Sequence, residues 1–465
     1  MKKEKSIDLS NKPKEKKLKK AKEKVVKSAD RDPSVTLNVQ QEEAIVKLKE
    51  FLKNDEKEFT IMGAGGTGKT FLIQELFKRK KQNSNEFYVP STVIGVCVTH
   101  MARLNLMKSI PNTTTYASAT NLVMAFDPMG NMYFMQKYTN HNFSELKMYK
   151  YIVVDECSMF DHEMKANLIK CCSPTAKIIW MGDSAQLPPI QAKGDHDSPT
   201  FDVLNKYELT IKMRQDNDDH IAILGDEVRK RIFGEHDLSF LNDITQQWDP
   251  EKGKGYSITT LDKVIPSYVK NFKAGMDVRI TSYRNSRIKQ LNAMVRRVLW
   301  EDKASEQFVP GEFIVMDDQY SPNREVLAYC GQTFKVIKIY VEVIDFVECH
   351  MIVVPRWNGI NGANETVTLA VPTDKGIVFY KRHLEHLKAL AINTKDWSEY
   401  KAFKDQFSNV SYAYAMNNYK IQGSTIKGCY VDLSDILDVK PISAKRKLQA
   451  FYVGISRPAD FCAIF

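Results

Sequence analysis

The sequence predicts an α/β fold built on parallel β-sheets. Short apolar segments such as residues 93–98 and 151–154 alternate with helical patterns, as they do where helices connect parallel strands. A glycine-rich segment, residues 63–70, lies between an apolar strand and a helix. Two acidic residues, Asp155 and Glu156, follow another apolar strand directly. In parallel sheets, ligands bind at this carboxyl edge of the strands.

Composition narrows the class of protein further. The 465 residues are 43% hydrophobic and 27% charged, close to an ordinary globular chain of roughly three domains. An apolar run of about 18 residues is absent, and the N-terminus is lysine-rich, so neither a membrane span nor a secretory signal is predicted. The eight cysteines form no CxxC pair, which argues against a zinc ribbon and favours reduced thiols in a cytoplasmic compartment.

The positive charge is concentrated at the N-terminus. Residues 1–31 hold twelve lysines and one arginine against five acidic residues, and so carry +8 of the net charge of +10. We predict that residues 1–32 form a disordered arm, because such a segment cannot bury enough apolar surface to fold. Such an arm could serve as a solubilising tail, bind nucleic-acid phosphates weakly through its charge, or act as a nuclear-localisation signal. The rest of the chain is nearly neutral.

The elements follow from local patterns. A helix begins near Leu37, where Ile45, Leu48 and Leu52 recur at helical spacing, and another is predicted over 69–80. Strands are predicted over residues 59–62, 93–98, 151–154, 177–181, 278–281, 313–316, 334–337, 351–354 and 428–433. A turn signal at residues 127–131, followed by apolar residues 132–135, predicts a small hairpin.

These elements group into two α/β domains, each with an insert. We predict the first α/β domain over 33–118 and 148–195, interrupted by the hairpin at 119–147. The second is predicted over 196–304 and 410–465. Its insert, residues 305–409, begins with several short strands and suggests a small β-barrel.

Residues 63–70 fit the phosphate-binding pattern G-x-x-x-x-G-K-[ST] completely. Glycines let successive backbone N–H groups converge on phosphate oxygens, and the following helix N-terminus favours negative charge. Lys69 would reach the outer phosphates and Thr70 would bind Mg²⁺. The alternative is a glycine-rich turn without a ligand. The predicted nucleotide-binding residues here are Gly63, Ala64, Gly65, Gly66, Thr67, Gly68, Lys69 and Thr70.

The acidic pair supplies the second half of a nucleotide site. Asp155 would hold Mg²⁺ and Glu156 would polarise the attacking water as a general base. An Asp-Glu pair is a weak signal alone and also fits a solvated acidic turn. Its position after an apolar strand, 86 residues beyond Lys69, strengthens the signal. Together the two motifs predict nucleotide hydrolysis without saying what the reaction drives.

Further motifs resemble those of superfamily 1 helicases. Residues 182–189, GDSAQLPP, resemble motif III, and residues 37–41 resemble the glutamine motif with Gln41 as the adenine reader. Four further segments resemble helicase motifs. Residues 99–102 resemble motif Ia, and residues 413–425 resemble motif V. Residues 209–214 resemble motif IV, with Arg214 at its arginine, and residues 451–457 resemble motif VI, with Arg457 at its arginine.

The order and spacing of these motifs resemble the superfamily 1B branch, which includes RecD-like enzymes and the Dda helicases of tailed bacteriophages. The resemblance runs from about Leu37 to the C-terminus. It implies two RecA-like domains, with a pin hairpin inserted in the first and an SH3-like barrel inserted in the second. Asn417 and Tyr419 depart from the motif V pattern, and Tyr116 stands where related proteins often carry histidine.

The resemblance also implies roles for individual residues. Gln186 would sense the γ-phosphate, Gly423 would lie at the nucleotide, and Arg214 and Arg457 would stabilise transition-state charge. Phe134 would be the wedge at a duplex fork, although it could instead pack under its own hairpin. The candidate DNA contacts are Thr99, His100, Tyr116, Phe134, Asn285, Tyr419 and Thr425.

The resemblance implies an ATP-dependent 5′→3′ DNA helicase, with ATP and Mg²⁺ as the cofactors that the two nucleotide-site motifs predict. Its partners would be single-stranded DNA and duplex forks, with a single-strand-binding protein or replisome component as a further candidate. Two alternatives stay open: a translocase that displaces proteins and unwinds weakly, and a non-motor assembly factor with a regulatory ATPase. We expect a cytoplasmic monomer without membrane contact; a nuclear location, RNA substrates, and the choice among replication, recombination and repair stay open.

Overall fold

A computed structural model describes residues 37–80, 87–137, 144–189, 196–213, 219–322, 325–356 and 365–465. The predicted arm, residues 1–32, and Arg214 therefore lie outside the described residues. In the described parts of the chain, no helix has the length and apolar character needed to cross a membrane.

The first half of the chain alternates strands and helices. Its elements are α1 (Val39–Phe51), β1 (Glu58–Gly63), α2 (Lys69–Phe77), β2 (Arg79–Lys80), β3 (Phe87–Tyr88), β4 (Val93–Cys97), α3 (His100–Met107), β5 (Thr113–Thr115), α4 (Tyr116–Ala119), β6 (Leu122–Phe126), β7 (Met132–Gln136), β8 (Tyr151–Asp155), α5 (His162–Cys171), β9 (Lys177–Gly182) and β10 (Lys206–Leu209).

The second half is built similarly around a longer insert. Its elements are α6 (His220–Phe233), β11 (Gln247–Asp249), β12 (Lys254–Ile258), α7 (Leu261–Lys273), β13 (Val278–Ser282), α8 (Asn285–Trp300), β14 (Phe313–Met316), β15 (Thr333–Lys335), β16 (Lys338–Ile344), β17 (Val347–Pro355), β18 (Thr366–Pro372), α9 (Gly376–Thr394), α10 (Ser398–Asp405), β19 (Val410–Tyr412), β20 (Ala415–Asn417), α11 (Asn418–Ile421), β21 (Ile426–Val431), α12 (Leu433–Asp438), α13 (Ala444–Ile455) and β22 (Pro458–Ile464).

The first sheet has six strands in the order β10-β1-β9-β8-β4-β5, and every pairing is parallel. Apolar clusters cover both faces, which explains why a strand such as β4 is buried at all five positions. The order places the carboxyl ends of β1, β9 and β8 side by side. The glycine-rich segment and the acidic pair therefore meet at one edge of the sheet.

The boundary predicted between residues 195 and 196 is wrong. Strand β10 pairs in parallel with β1, and Phe201 and Val203 are buried in the core of the first sheet. The first domain therefore extends at least to Leu209. This strand is hard to predict because it is a four-residue edge strand, with exposed residues at Lys206 and Glu208.

The second sheet has the order β11-β12-β22-β21-β13-β20, with an antiparallel pair at one edge and parallel pairs elsewhere. The strand predicted over 428–433 ends at Val431, because the side chain of Asp432 accepts a hydrogen bond from Asp435 N and caps helix α12. Similarly, α2 ends at Phe77 instead of Lys80, because residues 79–80 pair with β3.

Strands β6 and β7 form an antiparallel hairpin inside the first predicted insert. Residues 305–412 contain two three-stranded antiparallel sheets, β15-β14-β19 and β16-β17-β18, which share one apolar core around Ile314, Ile352 and Leu369. Strand β19 therefore extends the second insert past its predicted end at residue 409, because it pairs with β14. Helices α9 and α10 pack against β17 through Leu387 and Phe403. The sequence prediction of a β-rich insert omitted this helical pair.

Candidate active site and nucleic-acid interface

The glycine-rich segment forms a loop between β1 and α2. Gly66 and Gly68 adopt left-handed backbone angles, with φ of 84° and 83°. The Lys69 ammonium donates to the carbonyl oxygens of Gly63 at 2.8 Å and Ala64 at 3.1 Å, so it lies over the loop. No side chain caps the N-terminus of α2. Its first backbone N–H groups are therefore available to a phosphate.

Gln41 supports this loop from behind. Its amide oxygen accepts from Asn38 N at 3.1 Å, and its amide nitrogen donates to Thr67 O at 3.2 Å. The side chain is fully buried. A Cβ atom at Gly68 would lie 2.4 Å from Gln41 Nε2, which explains why glycine is required there. Gln41 is therefore a brace of the phosphate loop as well as the predicted adenine reader.

The acidic pair is held at the end of β8. Glu156 takes an unusual left-handed conformation, with φ of 52°, and its N–H donates to Asp155 Oδ1 at 2.9 Å. Burial raises the pKa of Asp155, although the nearby Lys69 charge opposes this. Burial, together with the Asp155 charge, raises the pKa of Glu156 to about 7. Two crowded carboxylates of this kind form a site that favours a cation.

Motifs V and VI bring the second domain to the same cleft. Gly65 lies close to Arg457, since a Cβ atom built on Gly65 would be 3.9 Å from Arg457 Nη2. Gly423 lies close to Glu156 in the same way, since a Cβ atom built on Gly423 would be 3.3 Å from Glu156 Oε1. Arg457 is 5% exposed, and Ser456 Oγ accepts from its Nη2 at 2.9 Å. The predicted residues Lys69, Glu156, Gly423 and Arg457 are thus brought together. Arg214, predicted beside them, lies outside the described residues.

Gln186 joins the two domains directly. Its amide oxygen accepts from Gln422 Nε2 at 2.7 Å, and Gln422 Nε2 lies 3.3 Å from Ser158 Oγ. Both glutamines are buried. Motif III of the first domain therefore contacts motif V of the second through a single hydrogen bond between neutral groups.

The motif Ia residues contact the insert of the second domain. Thr99 caps α3 by accepting from Ala102 N at 3.2 Å. The His100 ring stacks on Tyr329 with centroids 4.1 Å apart, and burial, with a smaller contribution from the Arg103 charge, lowers the pKa of His100 to about 4. A cavity of about 300 Å³ opens between α3 and the insert, where Met101 and Leu104 face Gln332, Thr333, Phe334, Lys335, Pro355 and Arg356. Sequence reasoning missed Tyr329.

Tyr116 does not fit its predicted role. Its ring is 7% exposed and packs edge-on against Phe160, with centroids 5.3 Å apart. Its hydroxyl accepts from Asn167 Nδ2 at 3.0 Å. A base can stack only on an exposed ring face. The structure therefore does not support Tyr116 as a DNA contact, because the first domain uses the ring in its core.

The other candidate DNA contacts lie on the second domain. Asn285, at the start of α8, is exposed and accepts from Asn417 Nδ2 at 3.3 Å. Asn417 also caps α11 by accepting from Lys420 N at 2.8 Å. Tyr419 is half-buried against the core, which leaves part of its ring accessible, and Thr425 is exposed.

The β6–β7 hairpin presents an exposed aromatic and is held from outside. Phe134 is 61% exposed, so it does not pack under its own hairpin. Phe126, on the other strand, stacks on Trp397 with centroids 3.9 Å apart and planes 11° apart. Lys401 Nζ donates to Met124 O at 3.1 Å. Contacts from Trp397 and helix α10 of the insert thus fix the middle of the hairpin and the end of β6 beside its tip.

The hairpin tip is also ordered by local contacts. Asp127 accepts from the N–H groups of Met129 and Asn131, at 2.9 and 2.8 Å. Gly130 has a φ of 77°, and a Cβ atom there would lie 2.6 Å from Lys388 Cε. The absence of a side chain at Gly130 therefore lets the tip approach α9 closely.

Comparisons with known proteins agree with this architecture. A family model described as an AAA domain matches residues 41–192. The ATP-dependent DNA helicase dda of Enterobacteria phage T4 is 22% identical over 445 residues, covering 87% of this chain and 94% of the relative. The uncharacterized protein R530 of Acanthamoeba polyphaga mimivirus is 21% identical over 478 residues, covering 86% and 94%.

Two solved structures share the fold over most of their length. Pif1 helicases at forked double-stranded DNA superpose with a TM-score of 0.52 at 14% identity. A Bacteroides Pif1 bound to single-stranded DNA superposes with a TM-score of 0.50, also at 14% identity. In both comparisons 92% of each chain is covered.

These comparisons confirm the predicted fold class. The fold is the two-domain RecA-like α/β fold found in Pif1-type helicases. The chain is related to the phage T4 helicase dda, as its motifs indicated, and the comparisons support a superfamily 1B helicase with ATPase activity.

Proposed function

We propose that the protein is an ATP-dependent DNA helicase that moves 5′→3′ along single-stranded DNA and separates duplex at a fork. One observation carries the proposal: the phosphate loop and acidic pair of one α/β domain face Gly423 and Arg457 of the other across a single cleft. A nucleotide bound there would touch both domains. Its hydrolysis would therefore change how the domains sit against each other.

The residues of the cleft suit ATP hydrolysis. The loop N–H groups and Lys69 bind the phosphates, Glu156 orients and deprotonates the attacking water, and Arg457 stabilises charge on the transferred phosphoryl group. Arg214 is proposed for a second such contact. The donors fit Mg²⁺, since the Thr70 hydroxyl and the half-buried Asp155 carboxylate are hard oxygen ligands. Bound Mg²⁺ would neutralise charge on the outer phosphates.

Coupling between hydrolysis and movement is proposed to pass through Gln186. Its hydrogen bond to Gln422 links the strand end beside the phosphate loop to the motif V segment. This segment also contains Asn417, next to the exposed Asn285. A change at the γ-phosphate can therefore reach the proposed DNA-binding surface through the Gln186–Gln422 hydrogen bond and the motif V segment that contains Asn417.

The DNA strand is proposed to cross both domains beneath the insert. Thr99 and His100 with Tyr329 would contact it on the first domain, and Asn285, Tyr419 and Thr425 on the second. The apolar cavity beside α3 supports this path, because bases stack on apolar and aromatic surfaces. A single-strand-binding protein or replisome component is proposed as a further partner, with the cytoplasm as the compartment.

Strand separation is proposed to depend on the hairpin. An exposed ring at Phe134 can stack on the terminal base pair of a fork and replace stacking worth about 1.4 kcal/mol per step. The contacts of Phe126 and Lys401 brace the hairpin, which lets it resist the force of the advancing duplex. These contacts favour a true helicase over a translocase that unwinds weakly.

The test is ATP-driven unwinding of matched forks that carry either a 5′ or a 3′ single-stranded tail. We expect unwinding of the 5′-tailed fork alone. Unwinding of only the 3′-tailed fork would contradict the polarity, and unwinding of neither fork despite DNA-stimulated ATP hydrolysis would favour the translocase. Retention of function in Lys69→Ala would favour the non-motor assembly factor.

A further inference from the structure

A buried charged cluster joins the two α/β domains beside the cleft. Asp183 follows β9 of the first sheet and is fully buried. Its Oδ1 accepts from Arg229 Nη1, and its Oδ2 accepts from the Tyr452 hydroxyl at 2.8 Å. Arg229 lies on α6 and Tyr452 on α13, both in the second domain. We call Asp183, Arg229 and Tyr452 the pivot cluster.

Two carboxylates of the first domain lie beside Arg229, one buried and one largely exposed. Besides Asp183, Glu208 on β10 accepts from Arg229 Nη2 at 3.3 Å. The guanidinium also lies over the rings of Tyr452 and Phe233, at 5.6 and 5.5 Å. Burial would raise the pKa of Asp183, but the charges of Arg229 and Lys69 outweigh burial and lower it. The cluster is therefore an ionised pair inside the protein.

Apolar packing reinforces the same contact. Ala185 and Leu187 belong to the motif III loop of the first domain, yet both are fully buried in the core of the second domain with Val228 and Phe451. The loop thus inserts into the second domain. Separating the domains at this point would expose that core as well as leave an uncompensated charge.

The next contact along the loop is different in kind. Gln186 meets Gln422 through one hydrogen bond between neutral amides. Such a bond is easily exchanged for a bond to water, whereas breaking a buried ion pair by removing one partner is strongly unfavourable. The motif III loop therefore makes two different contacts with the second domain within four residues. The Asp183–Arg229 ion pair resists separation of the domains, whereas the Gln186–Gln422 hydrogen bond can break and re-form.

Resting on the proposed function, we propose that Arg229 is a positioning residue of the ATPase, and that the pivot cluster is the fixed point about which the two domains open and close. Tyr452 lies on the helix that ends at Ile455, two residues before Arg457. Fixing Tyr452 against Asp183 therefore sets where Arg457 meets the phosphate loop. Movement during the cycle occurs at Gln186 and Gln422, while the pivot cluster stays closed.

The test compares full-length Arg229→Met, Tyr452→Phe and Glu208→Gln with the wild type. The measurements are kcat and KM for ATP with single-stranded DNA present, and the thermal unfolding midpoint. We expect Arg229→Met to lower kcat about tenfold or more and Tyr452→Phe about threefold, with KM for ATP within about twofold. Glu208→Gln is the matched control. Its carboxylate is 45% exposed, so we expect kcat within about twofold of wild type.

A double variant separates positioning from stability. Asp183→Leu with Arg229→Met removes both charges, so no buried charge is left without a partner. We expect this variant to recover most of the unfolding midpoint lost in Arg229→Met while kcat stays low, because replacing Asp183 removes the acceptor of the Tyr452 hydroxyl. Recovery of kcat together with the midpoint would overturn the proposal.

The remaining outcomes are also decisive. If Arg229→Met does not fold, Tyr452→Phe becomes the test of the pivot cluster. An unchanged kcat in Tyr452→Phe would overturn the proposed role of the cluster. A wild-type protein without DNA-stimulated ATP hydrolysis would refute the proposed function and the pivot with it. An active wild type with an equally active Arg229→Met would refute the pivot alone.

Discussion

The ATP cleft and the hairpin are built in opposite ways. The cleft takes its groups from short segments at strand ends, such as the loop after β1 and the pair after β8. The hairpin takes its rigidity from residues far along the chain, since the hydrogen bond from Lys401 to Met124 spans 277 residues. The chemical groups of the cleft therefore lie in short motifs, although these motifs come from both domains, whereas the hairpin is braced by single contacts between distant segments. Variants in the cleft should therefore lose both ATP hydrolysis and unwinding, whereas variants in the hairpin should lose unwinding alone.

The largest effect is expected in the cleft. Lys69→Ala removes the ammonium that lies over the phosphate loop, and we expect ATP hydrolysis to fall about 10²–10³-fold, with unwinding lost as well. Steady-state ATP turnover and fork unwinding measure this. Lys49→Ala, an exposed lysine on α1, is the matched control and should behave as wild type. Unwinding by Lys69→Ala would break the link between the cleft and the motor.

A wedge variant should separate the two activities. Phe134→Ala removes the exposed ring, so we expect unwinding to slow about tenfold while DNA-stimulated ATP hydrolysis stays near wild type. Tyr133→Ala is the control, because neighbouring residues on a strand face opposite sides. Equal losses in Tyr133→Ala and Phe134→Ala would mean that the hairpin has no specific wedge.

Removing the contact that holds the hairpin against the insert should also slow unwinding without changing ATP hydrolysis, but by less than Phe134→Ala does. Trp397→Ala deletes the ring stacked on Phe126, a contact of about 0.5–1.5 kcal/mol beyond burial. We expect unwinding to slow about threefold, with ATP hydrolysis unchanged. Single-turnover unwinding resolves a change of this size. An effect on ATP hydrolysis instead would show that the insert acts on the cleft and not on the hairpin.

The smallest effect concerns the charge of His100. Its pKa of about 4 keeps the ring neutral between pH 6 and 8, so His100→Gln should leave the pH dependence of DNA affinity unchanged. Because the folded state resists protonation of this ring, wild-type stability should fall relative to His100→Gln as the pH drops from 6.5 towards 4. Anisotropy titrations and thermal unfolding at several pH values test both points. A DNA affinity that rises on acidification only in the wild type would contradict the neutral ring.

Sequence reasoning reached the cleft because a strand, a glycine loop and a helix are encoded within a few residues. It failed where tertiary packing decides. Tyr116 was predicted to face DNA and lies in the core, since nothing local shows which side of a ring is covered. Tyr329 and Trp397 were missed because their partners, His100 and Phe126, are far away in sequence.

In the proposed mechanism, closure of one cleft drives movement along a polynucleotide. The most direct measurement is ATP turnover by the purified full-length chain as single-stranded oligonucleotide is titrated in. We expect a saturable rise in kcat, which is lost in Lys69→Ala and kept in Phe134→Ala. A rate that does not respond to oligonucleotide would contradict it.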